Sequence, residues 1–482
     1  MAAVTPDGPI DAPGRDATPG TEPAVGFVDR VFGSRRFFRL WLGMVCSAIG
    51  DWLGFLATAD LAARLGGERT GALAVGFVFM ARIVPGLVLG PFMGVLVDRW
   101  DRKRVMITCD VGRAAVLLSL PFVGSIPGLI VASLVLELLT LAWAPAKEAT
   151  VPNIVPTSHL AAANSLSIVA GYGTFPIAAA LFGGFAKFGE AVDGGWFADA
   201  LRLGQEGSLG FYVDAVTFLV AAAIALSLDL PRRAHRSPVD GEEGRRAIGL
   251  AFTDLADALR FIRASPTIRA VNVGLATGLI GGGMLVPLGK IFIERVLGAG
   301  SAGFGLFLTV LGLGVAGGVV GVTLGQRHLP KERTFALVVF GAGVCLFGAA
   351  SVTTLTPAAV LIFGLGACAG TAYVLGFTLL HETVTDEFRG RIFAALNTLV
   401  RLCLVVSFAV GPFLTQLFDD LSARLFPTGK APILGIDVFV PGIRVTLWLA
   451  SVIMIVAGVL AARTIGRERR SVDPAAVVPG AS

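Results

Sequence analysis

Long stretches of this chain carry no charge at all, and they limit the folds that it can adopt. Residues 334–380 contain no Asp, Glu, Lys or Arg. That window is long enough for two helices of about 20 residues, each able to cross the ~30 Å hydrocarbon core of a bilayer. The whole sequence is 55% hydrophobic and 15% charged, whereas soluble domains carry about 25% charge. We therefore expect a membrane protein, because a soluble fold would leave large apolar patches in water.

Twelve long, predominantly apolar segments recur along the sequence. None shows the period-two alternation of a β-strand. We therefore predict an all-α membrane protein with twelve transmembrane helices, called spans 1 to 12 below. The predicted spans cover residues 38–63, 72–97, 104–124, 127–145, 160–186, 211–229, 268–293, 303–326, 334–353, 357–379, 391–418 and 442–462.

Lys and Arg are distributed unevenly over the loops between these spans. With an even number of spans both ends of the chain lie on one side of the membrane, and that side holds 27 of the 39 Lys and Arg residues. The opposite side holds seven. Because cytoplasmic loops carry the excess of basic residues, we expect both termini in the cytoplasm. The formal net charge of +5 then reflects topology, and nucleic acid is not an expected partner.

Charged and apolar segments divide the chain into five regions. A cytoplasmic leader (1–34) and tail (466–482) are predicted to be disordered, because they lack an apolar core. A charged linker, 231–266, separates two six-helix halves, 35–230 and 267–465. Apolar residues at helical spacing predict a short amphipathic helix in the linker, lying on the cytoplasmic face. These residues are Ile248, Phe252, Leu255, Leu259 and Ile262.

The two halves show a weak internal repeat. Phe175-Pro176 in span 5 corresponds to Gly411-Pro412 in span 11, and other short matches keep the same order. This order favours two related six-helix bundles around an axis along the membrane normal. Pro176, Gly411 and Pro412 are predicted to bend their helices, because a proline removes a backbone hydrogen bond from a helix interior.

Ionisable residues within the spans are the candidate functional residues, because charge in the bilayer core is costly. Asp51 and Glu137 lie near the middle of spans 1 and 4, and Arg82 lies about 24 Å from the cytoplasmic end of span 2. We predict that Asp51, Glu137 or both bind a coupling proton, with Arg82 as the counter-charge. The alternative is a static Asp51–Arg82 pair that stabilises the fold. Asp60, half a helical turn out of phase with Asp51, is a further candidate.

Two other charged positions are expected to have ordinary roles. Asp214 is read as a boundary residue at the outer start of span 6, and Lys290 with Glu294 as a solvated i,i+4 pair at the outer end of span 7. All five Cys lie in apolar runs without a CxxC motif. We expect no cofactor, no metal site and no enzyme activity.

The turn after span 2 carries a specific motif. It reads Gly94-Val-Leu-Val-Asp98-Arg99-Trp-Asp-Arg102-Lys103. In this form, G-x-L-x-D-R-x-x-R-[KR], it resembles the loop between the second and third helices of the major facilitator superfamily. Asp101 stands where that superfamily usually has Gly, and this variant is similar to that of bacterial macrolide, tetracycline-type and enterobactin exporters. The fifth-helix antiporter signature is kept at Pro176, with Phe175 in place of its Gly.

This resemblance, over roughly residues 35–465, implies two pseudo-symmetric six-helix bundles that work by alternating access. It also implies that the motif residues Gly94, Asp98, Arg99 and Arg102 help to lock the outward-facing state. Charged residues on spans 3 and 11 are expected partners of that lock: Asp110, Arg113 and Arg401. The alternative is that the loop is basic only because cytoplasmic turns are basic.

The expected function is proton-coupled export of a hydrophobic or amphipathic small molecule, such as a drug or siderophore. Its partners would be that substrate, protons and the lipid bilayer, and the protein would be a monomer in the bacterial cytoplasmic membrane. Two alternatives stay open: a lipid or lysophospholipid translocator of the same fold, and a membrane sensor or scaffold that has lost transport.

Overall fold

The computed structural model describes residues 27–97, 100–191, 196–205, 207–228, 266–325, 329–383, 386–425, 430–433 and 436–472. Within these ranges, eleven helices are long and apolar enough to cross a membrane. The first of them, α2 (Arg35–Val97), contains two of the predicted spans across a kink. The prediction of twelve spans in a helical membrane fold is therefore confirmed.

Helix α2 folds back on itself near its middle. At Gly67 the backbone leaves the helical conformation, with φ of 62°. Glycine adopts this positive φ without the steric cost that a side chain would bring. The rings of Phe55 and Phe79, on either side of the turn, stack with centroids 4.2 Å apart. Residues before Gly67 therefore form span 1, and residues after it form span 2.

The other elements follow in the predicted order. The helices are α1 (Phe27–Phe32), α2, α3 (Arg102–Ser119), α4 (Ile126–Ile154), α5 (Leu160–Tyr172), α6 (Phe175–Ala191), α7 (Trp196–Ala200), α8 (Ser208–Ser227), α9 (Pro266–Arg295), α10 (Ser301–Gly325), α11 (Lys331–Ser351), α12 (Leu355–Thr383), α13 (Asp386–Leu425) and α14 (Gly442–Val472), with strands β1 (Lys430–Ile433) and β2 (Ile436–Phe439). Spans 3, 4 and 6 are α3, α4 and α8, and α5 with α6 forms span 5. Spans 7 to 12 are α9 to α14.

Packing divides the spans into two groups. In the first, span 3 contacts spans 4 and 6, and α2 packs against spans 4 and 6. In the second, span 8 packs on span 10, and span 12 contacts spans 7, 9 and 11. The groups meet mainly where span 2 contacts span 11 and span 5 contacts span 8. We call them the N-terminal and C-terminal bundles.

Spans 8 and 10 approach closely because each presents glycines to the other. A Cβ atom at Gly318 on span 8 would stand 2.1 Å from the carbonyl oxygen of Ala367 on span 10. The reciprocal Cβ at Gly370 would stand 2.3 Å from the carbonyl oxygen of Val315. In lipid, where apolar burial gives no advantage over the acyl chains, such backbone contact is a main source of helix association.

Span 5 is interrupted at its centre. Helix α5 ends at Tyr172 and α6 begins at Phe175, so Pro176 occupies the first turn of α6, where its missing N–H disturbs a helix least. Trp52 Nε1 on span 1 donates a 2.8 Å hydrogen bond to the Gly171 carbonyl beside this break. Pro412, in contrast, lies inside the continuous helix α13.

An antiparallel β-hairpin, β1 with β2, connects spans 11 and 12. The sequence pattern did not predict it, because each strand has only four residues. Beside it, the buried Arg444 donates hydrogen bonds to the carbonyl oxygens of Phe439 (2.6 Å) and Val352 (2.9 Å). This side chain ties the end of the hairpin to spans 9 and 12.

The basic residues at the start of span 3 contact helix ends within the N-terminal bundle. Asp101 is the N-cap of α3, and its Oδ1 accepts a 2.9 Å hydrogen bond from the Arg104 backbone N–H. Lys103 Nζ donates to two carbonyl oxygens at the end of span 6, both at 2.7 Å. Arg102 Nη1 donates to the Ala149 carbonyl at 2.7 Å. A cation near the carbonyl end of a helix is favourable.

Several predicted features lie outside the described residues. These are Asp98 and Arg99, the leader up to residue 26, the linker up to residue 265 with its amphipathic helix, and the tail from residue 473. The exact domain limits at 35–230 and 267–465 stay a prediction.

The glycine contacts between spans 8 and 10 predict a difference between two substitutions on one helix. Gly318→Ala should lower the free energy of unfolding by about 1–3 kcal/mol, as overpacking does. Gly321→Ala should be neutral or stabilising, because a Cβ at that position meets no atom within 4 Å. Equilibrium unfolding in detergent measures both. Equal effects would contradict the close approach.

Candidate functional site between the two bundles

Three ionisable residues predicted as a proton or substrate site lie in the membrane-spanning part of the N-terminal bundle. Asp51 on span 1, Arg82 on span 2 and Glu137 on span 4 are each half-buried. The charge of Arg82 acts on both carboxylates. Among the described contacts there is no direct Asp51–Arg82 ion pair, which is the pair that the static alternative requires.

Arg401 joins this site from the C-terminal bundle. A Cβ atom at Gly86 on span 2 would stand 2.8 Å from Arg401 Nη1 and 3.3 Å from Glu137 Oε1. The two charged groups therefore lie beside the same face of Gly86, at a position that a larger residue's side chain would occupy. Arg401 is exposed and its charge acts on Glu137. The sequence placed Arg401 with the loop lock, whereas the structure places it beside Glu137.

Aromatic rings line the same region. The Arg82 guanidinium lies over the ring of Phe55, 5.8 Å from its centroid. Phe55 stacks on Phe79, and Phe79 lies 5.6 Å from Phe408 of the C-terminal bundle. Trp52 meets Phe175 edge-to-face at 4.9 Å. The site thus combines guanidinium and carboxylate groups with a wall of rings contributed by both bundles.

Asp110 and Arg113 form a local pair within span 3. Both are buried, and the Arg113 guanidinium donates to the Asp110 carboxylate. The guanidinium also lies 4.1 Å from the ring centroid of Phe218 and 5.0 Å from that of Trp143. These described contacts stay within the N-terminal bundle, so the expected role of the pair in a lock between bundles stays a prediction.

Asp214 is not a boundary residue, and this expectation was wrong. Its side chain is 2% exposed and packs against span 1 at Gly50 and Gly54. The sequence reading failed because it judged only the distance from the end of span 6. The signal it missed was the pair of glycines one helical turn apart on the facing span.

A cluster of charges joins the bundles on the side opposite the chain termini, here called the far-side cluster. It consists of Asp60, Arg64, Lys290, Glu294 and Ser301. Lys290 Nζ lies 2.6 Å from Asp60 Oδ1, and both side chains are fully buried. Ser301 donates a 2.6 Å hydrogen bond to the same carboxylate oxygen. The Asp60 carboxylate of the N-terminal bundle is therefore held by two residues of the C-terminal bundle.

The rest of this cluster balances its charge. Arg64 Nε lies 3.0 Å from Asp60 Oδ2, and Lys290 Nζ lies 2.7 Å from Glu294 Oε1. Two cations thus face two carboxylates. The expectation of a solvated Lys290–Glu294 pair was wrong, because Asp60 comes from the other bundle and no local sequence pattern shows it. Asp60 lies nine residues beyond Asp51, about 13 Å along the helix.

Two contacts between a glycine and a proline repeat across the interface. A Cβ at Gly312 on span 8 would stand 2.7 Å from Pro176 Cγ on span 5, and one at Gly76 on span 2 would stand 2.8 Å from Pro412 Cγ on span 11. The same number of residues separates Gly76 from Gly312 as separates Pro176 from Pro412. Both predicted bend positions therefore lie at equivalent places between the bundles, and Gly411 packs next to Pro412 against Met284.

Comparison with known proteins gives one family. A model of the Major Facilitator Superfamily matches residues 40–408. The chain is 26% identical over 355 residues to BacE of Bacillus amyloliquefaciens, which has a provisional assignment as a bacilysin exporter; the match covers 71% of this chain and 79% of BacE. It is 33% identical over 132 residues to macrolide efflux protein A of Streptococcus pyogenes, covering 26% of this chain and 31% of that protein.

A solved structure shares the fold. A bacterial homologue of the human lysosomal transporter Spinster, crystallised in an inward-facing and unoccupied conformation, superimposes with a TM-score of 0.64. The match covers 90% of this chain and 98% of that one. Because the sequence identity is only 15%, the match is evidence for the fold alone.

The far-side cluster predicts strong coupling between Asp60 and Lys290. Asp60→Asn and Lys290→Met should each cost about 3–5 kcal/mol, because each leaves a buried charge without its partner. The double variant should cost clearly less than the sum of the two. Unfolding in detergent gives the coupling free energy.

The exposed Lys331–Glu382 pair, with 30% and 53% of its side chains exposed, is the matched control. Lys331→Met should cost less than about 1 kcal/mol. Additive effects at Asp60 and Lys290, or losses as small as that of the control, would contradict a buried ionic contact between the bundles.

Proposed function

The chain belongs to the major facilitator superfamily of membrane transporters, and we propose that it is a proton-coupled exporter of amphipathic small molecules. The observation that carries this proposal is the placement of Glu137 between two arginines from different bundles, Arg82 and Arg401. A proton on Glu137 would cancel its attraction for both. Protonation would thereby change the force between the bundles, which is what coupling a proton to a conformational change requires.

Asp51 is the second acid of this site. It shares Arg82 as a neighbouring cation with Glu137, and both acids are half-buried. A substrate that displaces water around either carboxylate changes its preference for a proton. Competition between proton and substrate at Asp51 and Glu137 would give exchange of one for the other.

The lining of the site supports an amphipathic substrate. The half-buried Phe55 ring, packed on the buried Phe79, offers apolar and cation–π surface, and Arg401 and Glu137 offer charge-assisted hydrogen bonds. A sugar would call for more neutral hydrogen-bonding side chains than these residues supply. Drug-like molecules with one charged or polar end match this combination.

The direction of transport is proposed from the relatives. Two proteins similar to this chain carry export or efflux in their names, BacE and macrolide efflux protein A. We extend export to this chain together with location in the bacterial cytoplasmic membrane, cytoplasmic termini and a monomeric state. The 27-to-7 distribution of Lys and Arg supports this orientation.

Alternating access would exchange two sets of contacts. In the conformation described here the far-side cluster joins the bundles, so an outward-facing state needs the Asp60–Lys290 pair to separate. We propose that the loop with Gly94, Asp98, Arg99 and Arg102 then supplies compensating contacts on the cytoplasmic side. In this proposal Arg401 contributes to these cytoplasmic contacts from its position beside Glu137. The helix bend at Pro176 acts as a pivot against Gly312, and the bend at Pro412 acts as a pivot against Gly76.

Transport in inverted membrane vesicles tests the proton coupling. With an imposed pH gradient, acidic inside, wild-type protein should accumulate radiolabelled macrolide or ethidium, used as amphipathic probes. Asp51→Asn and Glu137→Gln should abolish the pH-driven part, because neither amide takes up a proton. Glu148→Gln, at an exposed position on the same helix as Glu137, should transport normally. Full pH-driven transport in both folded variants would disprove the proton site.

The proposed lock predicts a change in accessibility. Asp98→Asn should weaken the outward-facing state, slow transport, and increase labelling of a cysteine placed at the exposed Tyr373 by a reagent supplied from the cytoplasmic side. Asp101→Ala in the same loop, which removes only the N-cap of α3, should cost about 1 kcal/mol of stability and leave labelling unchanged. Unchanged labelling and transport in Asp98→Asn would count against the lock.

A further inference from the structure

The carboxyl group of Asp214 on span 6 enters a groove on span 1 that only glycines can form. A Cβ atom at Gly50 would stand 2.5 Å from Asp214 Oδ1, and one at Gly54 would stand 2.1 Å from Asp214 Oδ2. Neither distance leaves room for an alanine. The two glycines are one helical turn apart, so they open one continuous slot. Asp51 follows directly after the first of them.

One oxygen of this carboxyl group, Oδ1, lacks a hydrogen-bond partner among the described residues. The Asp214 side chain is 2% exposed. The Thr217 hydroxyl lies beside it, 2.0 Å from the same Cβ position at Gly50, but donates its own proton to the Asp214 backbone carbonyl at 2.8 Å. The Thr217 oxygen is therefore left as an acceptor. A neutral Asp214 could donate its O–H there, whereas a carboxylate would be buried without compensation.

The charges facing Asp214 come from three spans. Asp51 on span 1, Arg82 on span 2 and Arg113 on span 3 all act on it. Arg113 is already paired with Asp110, and Arg82 is shared between Asp51 and Glu137. Among the described contacts neither guanidinium is hydrogen-bonded to Asp214, and each has another carboxylate beside it.

A count of charges in the middle of the membrane leads to the same result. The carboxyl groups are Asp51, Asp110, Glu137 and Asp214. The cations around them are Arg82, Arg113 and Arg401. Among the described residues of this group, four acids against three cations leave one negative charge in excess unless one acid carries a proton. Asp214 is the most enclosed of the acids without an ion-pair partner, since Asp110 is paired with Arg113 and Asp51 and Glu137 are half-buried.

We propose that Asp214 is a second proton-binding residue of the transport cycle, which holds the coupling proton in this conformation and passes it to Asp51. In the transfer, an O–H bond of Asp214 breaks and an O–H bond of Asp51 forms. The electron pair of the broken bond stays on Asp214, so the pair keeps a single negative charge. Asp51, which is half-buried, then releases the proton to the space between the bundles. This inference rests on the proposed proton coupling.

Infrared difference spectroscopy of purified protein tests the first part without any transport. A neutral carboxylic acid gives a carbonyl stretching band that shifts in D₂O. We expect wild-type protein to show this band and Asp214→Asn to lack it. Gly54→Ala, which keeps the acid but fills its groove, should shift the band. Gly43→Ala is the matched control on the same pair of spans, because its Cβ makes an ordinary 3.5 Å contact with Ile224, and it should leave the band unchanged.

Vesicle transport and a pH-jump experiment test the second part. Asp214→Asn should lose pH-driven export, and Gly43→Ala should keep it. After a jump to high pH the band should decay more slowly in Asp51→Asn than in wild-type protein, because the proton has lost its exit. If Asp214→Asn does not fold, Gly54→Ala replaces it in the infrared and transport comparisons with Gly43→Ala.

The outcomes separate this inference from the proposed function. A band that survives in Asp214→Asn would overturn the inference outright. If Asp214→Asn loses the band but keeps pH-driven export at the wild-type level, the proton on Asp214 is static and the transfer to Asp51 is overturned. Absence of pH-driven export from wild-type protein would defeat the proposed function and the transfer together, while loss of the band in Asp214→Asn would still establish that Asp214 holds a proton.

Discussion

Compensation of charge inside an apolar interior is the constraint on which the arrangement of this protein depends. Away from water each ionised side chain needs an opposite charge or a hydrogen-bond partner. The far-side cluster meets this requirement by balancing its charges, with two cations, two carboxylates and the Ser301 hydroxyl. The charged residues near the middle of the membrane meet this requirement only in part. They are Asp51, Arg82, Asp110, Arg113, Glu137, Asp214 and Arg401. The first arrangement suits a contact that holds two bundles together, and the second suits a site that gains and loses a proton.

The sequence predicted the fold well because the fold depends on local properties. Apolar length sets the spans, and glycines mark close helix contacts. The sequence also selected Asp51, Arg82 and Glu137 from their depth in the spans. It could not pair Asp60 with Lys290, place Arg401 beside Glu137, or bury Asp214 in its groove. Each of these depends on how separate helices face each other, which neither spacing nor hydropathy encodes.

Symmetry and chemistry follow different rules in the two bundles. The Gly76–Pro412 and Gly312–Pro176 contacts repeat across the pseudo-twofold axis, as expected where helices must bend and slide without a side chain between them. The central charges do not repeat, since all but Arg401 belong to the N-terminal bundle. The glycine–proline contacts of the interface are thus duplicated, and the central ionisable residues are concentrated in the N-terminal bundle.

The backbone reversal at Gly67 has a consequence for how the two ends of the molecule communicate. Because spans 1 and 2 are one hairpin stiffened by the stacked Phe55 and Phe79 rings, a single rigid body carries Asp60 at one end and Gly94 at the other, with Asp51 and Arg82 between them. Under the proposed alternating access it would act as a lever. Release at one end would be transmitted as displacement at the other, so both gates would share one moving part and opening them at the same time would be mechanically disfavoured.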